Sequence, residues 1–103
     1  MAAMLDRLTV EDFSRLLGRT FRLLLEGNPA LELVLVEARS LSPGRGAAGP
    51  RREPFSLVFR GPASPILPQR IYPLENEALG RLEIFLVPIE AGAEGVKYEA
   101  VFN

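Results

Sequence analysis

The chain has no cysteine and no histidine. The first absence removes disulfides, zinc knuckles, redox dithiols and cysteine nucleophiles together. The second removes the usual general base at neutral pH, the Ser-His-Asp triad and the commonest transition-metal ligand. A bound metal would need all-oxygen ligands, which means calcium or magnesium. Lysine is nearly missing as well: Lys97 stands against 11 arginines. With so much Ala, Gly and Leu, that bias reads as GC-rich coding or growth at high temperature, not as function. No apolar run approaches the roughly 20 residues of a membrane span. The start "MAAMLDRLTV" has no basic region followed by an apolar one, so no secretion signal is read and the cytoplasm is the expected compartment.

Excess charge is also lacking. The net charge is -1 and the pI near 5.5, so no whole-molecule field draws in nucleic acid or an anionic membrane. Neither is expected as a partner. What is present is a globular composition, 48% hydrophobic and 24% charged, at a length that implies one domain over residues 1–103.

In "LTVEDFSRLLG", Thr9 is an N-cap with Asp12 three residues on, a shortened capping box, while Leu8 and Phe13 fit a hydrophobic staple. Val10, Phe13, Leu16 and Leu17 share one face, and Gly18 supplies the stop. This predicts a helix over 9–18, too short to stand alone and so docked on something. The remainder alternates. "RTFRLLLE" places Phe21, Leu23 and Leu25 on one face. "LELVLVEARSL" is apolar on both faces from Leu31 to Val36, as in a central strand or one bent through a barrel. "FSLVFR" turns Phe55, Leu57 and Phe59 inward and Ser56, Val58 and Arg60 outward. "QRIYPLEN" reads as a short edge piece. "GRLEIFLVPIE" and "VKYEAVFN" pair through "AGAEG". Residues 42–54, "SPGRGAAGPRREP", are a flexible Gly/Pro loop. The fold class is therefore mainly β: a small antiparallel barrel or sandwich of five to six strands, with one short N-terminal helix plugging an end or covering a face.

Chemistry is hard to find. Glu75 with Glu77, and Glu90 with Glu94, are carboxylate pairs with nothing in sequence to split their pKa values, and a solvated face explains them. The Glu90/Glu94 loop lacks the Asp and Asn ligands of a calcium loop. Arg45, Arg51 and Arg52 read as a solvated loop. "GRGAAG" is no phosphate cradle, because no lysine follows and no strand and helix frame it. A Ser-Lys pair would need Lys97, which lies on the face opposite Tyr98. Phe85 is the informative aromatic. It alternates out of phase with Leu82, Ile84 and Leu86, so Phe85, Val87 and Ile89 form a second apolar stripe. Exposed, such a stripe marks a partner surface; in a closed barrel the helix could cover it.

Several segments resemble a known family. "TFRLLL", "PFSLVFRGP", "LPQRIYPLENEALGRLEIFLVPI" and "YEAVFN" are similar to short bacterial proteins known only as a domain of unknown function, over roughly residues 5 to 103 and without the 42–54 loop. Its members often carry a histidine where this chain has Asn76. Genes of that family sit near proteins with phage-tail-collar domains. The resemblance implies an accessory or assembly protein of a tail-like or surface structure.

The expected function is a non-enzymatic interaction module that needs no cofactor and binds another protein or itself. The expected contact surface is Phe85, Val87 and the proline-punctuated "GPASPILPQRIYP", with Ile66, Pro68, Arg70 and Tyr72. The alternative is a small-ligand binder or carboxylate enzyme with Glu75, Glu77, Arg70 and Tyr72 around a barrel mouth. A third possibility is a homo-oligomer that pairs edge strands, invited by the closing strand.

Overall fold

Six strands and one short helix account for the computed structural model, which describes residues 8–41 and 54–102. In chain order they are α1 (Val10–Ser14), β1 (Thr20–Leu25), β2 (Asn28–Ser40), β3 (Phe55–Gly61), β4 (Arg70–Asn76), β5 (Gly80–Gly92) and β6 (Gly95–Phe102). The strands close into an antiparallel barrel in the order β1-β2-β3-β6-β5-β4. The loop expected at 42–54 falls outside the described residues, except that the Pro54 carbonyl accepts the Leu41 N–H at 2.8 Å.

Alternation sets the inside. Phe21, Leu23, Leu33, Leu35, Phe55, Leu57, Phe59, Leu74, Leu82, Ile84, Leu86, Val96, Tyr98 and Ala100 are all buried and form one core. Phe21 meets Phe59 edge-on at 5.1 Å between ring centroids. Space is tight enough that Gly61 cannot be replaced without movement: a Cβ there would lie 2.5 Å from Leu33 Cδ2. A bulge between Leu35 and Glu37 shifts the register of β2 against β3, so the inward series passes from Leu33 and Leu35 to Ala38, while Val34 and Val36 are half-buried. Val58 points outward, as its alternation requires, yet is only 6% exposed, and Ser56 is buried too. Ser56 and Val58 on the outer side of β3 are therefore covered, while Arg60 at its end is exposed.

The helix plugs one end. Thr9 and Asp12 form the reciprocal capping box: the Thr9 hydroxyl accepts the Asp12 N–H at 3.4 Å, and the Asp12 carboxylate accepts the Thr9 N–H at 2.8 Å. The α-helix is shorter than the 9–18 predicted. From Phe13 onward the bonds tighten to three-residue turns, Leu16 N–H to Phe13 carbonyl and Arg19 N–H to Leu16 carbonyl. Gly18, at φ +83°, then turns the chain into β1. Phe13 is fully buried beside Phe55 and Phe102, whose rings stack at 4.7 Å. Burying a phenyl ring stabilises by roughly 1.5–3 kcal/mol, which is why so short a helix stays docked.

Two expectations are corrected. "QRIYPLEN" is not an edge: as β4 it lies between β5 and β1 and closes the barrel. Nor is the closing strand open to edge pairing. β6 lies between β3 and β5, hydrogen-bonded to both. Among the described residues no strand has a free side along its whole length.

Candidate functional site

The wall formed by β4 and β5 carries the features that do not serve the core. Ile71 pairs directly with Phe85. Val87 pairs with Glu99, and antiparallel geometry then sets Phe85, two residues before Val87, toward Val101, two residues after Glu99. Ile71, Phe85 and Val101 are 57%, 50% and 54% exposed, so an apolar row crosses three strands on the outside of the barrel. Val87 is half-buried beside it, and Ile89 is exposed at a bulge between Pro88 and Glu90. The helix does not cover this row, because it sits over the end where Phe55 and Phe102 meet.

The far end of the barrel is closed by the loop between β3 and β4. Leu67 is buried as its plug, while Ile66, Pro68 and Arg70 stay exposed. Two tyrosines hold the loop. The Leu67 N–H donates to the Tyr98 hydroxyl oxygen at 3.0 Å, and the Tyr72 hydroxyl donates to the Pro68 carbonyl at 2.6 Å. The Arg70 guanidinium lies 5.9 Å from the centre of the Tyr72 ring. Burial pushes the Tyr72 phenol above its ordinary value near 10, Arg70 pulls it down, and Tyr98 adds to the rise. Tyr72 is thus a structural residue with its hydroxyl engaged, whereas Ile66, Pro68, Arg70 and Phe85 are exposed. Sequence reasoning missed the tyrosine–loop bonds, since a phenol 31 residues away leaves no local signal.

The seam between β1 and β4 is short. The two strands register only at Arg22↔Glu75 and Leu23↔Leu74. One step further would set Leu24 against Pro73. Leu24 lies in a bulge between Leu23 and Leu25, and the registered ladder with β4 ends there. Beyond it lies a cleft of about 470 Å³, lined by Leu24, Leu25 and Glu26 on one side and by Arg70, Ile71, Tyr72 and Pro73, with Arg81 of β5, on the other.

The carboxylate reading fares differently. Glu75 and Glu77 line another cleft, of about 610 Å³, with Arg22 and Arg81. Glu75 pairs with Arg22 at 3.8 Å. Arg70 lies five residues down β4 from Glu75, about 16 Å away at strand rise. Glu75 and Glu77 therefore do not converge with Arg70 and Tyr72. Asn76 is fully used: its Oδ1 accepts the Ala78 and Leu79 N–H groups, and its Nδ2 donates to the Thr20 carbonyl. Among the described residues no cluster of carboxylates is arranged to hold a metal ion, and no helix is long and apolar enough to cross a membrane.

Fold and surface define a small closed antiparallel β-barrel, filled inside and apolar along one outer wall. A family model matches residues 8–102, and the chain belongs to that family, a domain of unknown function, DUF6916. No curated protein and no solved structure matches it.

Proposed function

We propose that the chain is a protein-interaction module without catalytic activity, an accessory or assembly part of a tail-like or surface structure, as the sequence resemblance implies. The observation that carries this reading is the exposed row Ile71–Phe85–Val101 on a barrel whose interior is already full. A ligand-binding barrel keeps space inside, whereas here Phe21, Phe59, Tyr98 and their neighbours fill it. Half-exposed large apolar side chains side by side are what an interface buries at its centre.

The test is co-expression with the products of neighbouring genes, using the wild-type chain and Phe85→Asp. A complex should co-purify with the wild type and be lost with the variant, while the variant's far-UV spectrum and melting temperature stay unchanged. A chain that remains alone with every neighbouring product, or a complex indifferent to Phe85→Asp, overturns the reading.

A further inference from the structure

We infer that the open part of the β1/β4 seam takes an extended peptide strand of the partner, one that carries apolar residues in alternation and a carboxylate for Arg70. The inference rests on the interaction reading and names the chemistry of what is bound.

Three observations carry it. The first is main-chain valence. β4 is paired with β5 along its whole length, Arg70↔Leu86 to Asn76↔Gly80, but with β1 only at Leu74 and Glu75. From Arg70 to Tyr72 no β1 residue is in register with it, and that side opens on the cleft. A stretch of strand with one side unpaired is the template for strand addition. The bulge at Leu24 takes β1 out of register there.

The second is lining. Leu24, Leu25 and Ile71 supply apolar surface, and Ile71 continues into the exposed row through Phe85. Side chains of an added strand point alternately up and down, so every second residue would rest on that apolar surface. The volume, about 470 Å³, lies within the range of ligand clefts.

The third is charge. The ion pairs among the described residues are Arg22 with Glu75, Arg81 with Glu83 and Lys97 with Glu90. Among the described residues Arg70 has no carboxylate within that range. It is exposed at the cleft, braced over the Tyr72 ring, and a planar guanidinium held this way suits a carboxylate. Glu26 lines the β1 lip, while Arg81 joins Arg70 on the opposite side, so the guest's acid lies on the β4 side.

Selection of short random linear peptides against the purified full chain tests this. Enriched peptides should alternate apolar residues and carry an Asp or Glu, and their binding should move the amide resonances of Leu24, Leu25 and Ile71. N-methylating alternate peptide amides should abolish binding. Arg70→Glu should weaken an acidic peptide by about tenfold or more and favour its Lys counterpart. Capping the peptide's C-terminus as an amide tells a side-chain carboxylate from a terminal one; either source supports the inference. It is overturned if nothing is enriched, if binding ignores Arg70→Glu and N-methylation, or if the seam resonances move only on self-association. If the peptides fail while a co-expressed complex survives and depends on Phe85, the seam inference falls and the interaction reading stands.

Discussion

Asn76 reaches across the barrel's closing seam to Thr20: its side-chain amide donates to the Thr20 carbonyl at 3.1 Å. The same side chain's oxygen ties down the β4–β5 turn through Ala78 and Leu79. One residue thus fastens β1 to the hairpin beside it, just where the strand ladder is shortest. Asn76→Ala should cost about 1 kcal/mol, because the lost bonds are solvent-accessible. It should also speed amide exchange at Arg22 and Leu23 more than at β3. Uniform exchange across the barrel would show that Asn76 does not fasten the seam.

A buried bond should cost more to break. Tyr98→Phe keeps the ring but leaves the Leu67 N–H without its acceptor in a buried setting. Denaturant titration should report a loss of about 1–3 kcal/mol. A loss within experimental error would mean that another acceptor or water takes over.

Tyr72 should shape the alkaline limit. Its phenol ionises at higher pH in the folded chain than in the unfolded one. Above about pH 10 the unfolded state therefore binds fewer protons than the folded state, and stability falls as pH rises through the folded value. Below pH 10 this contribution is fully present. Urea midpoints between pH 9 and 11 should decline less steeply for Tyr72→Phe than for the wild type. Parallel curves would remove Tyr72 as the cause.

Deleting residues 98–103 takes Tyr98, Ala100 and Phe102 from the core, the loop anchor from Leu67, and the ring that stacks on Phe55. The truncated chain should lose its cooperative thermal transition. A soluble truncation with a sharp melt would contradict the place given to β6.

Much of the fold is legible in the sequence because a strand's two-residue period is local. The inward series Leu82, Ile84, Leu86 and the Thr9–Asp12 cap are found in the structure as the sequence predicts. Barrel or sandwich could not be decided that way, since closure depends on bulges and on a pairing between Arg22 and Glu75, 53 positions apart. The burial of Val58 is hidden for the same reason: a residue's own alternation says nothing about what covers its outer face. Phe85 is legible as an exception to phase. The cleft is not, because it arises where a bulge takes one strand out of register with another some fifty positions on.

The position of β6 has a consequence for how the chain comes into being. Synthesis delivers β3 and β5 before the strand that joins them, so neither can hydrogen-bond along its shared side until residues 95–102 follow. The same holds for the stacked rings: Phe13 and Phe55 wait for Phe102. A nascent chain stalled short of β6 exposes two ladder edges and an unroofed aromatic end, the kind of surface through which partly folded chains aggregate.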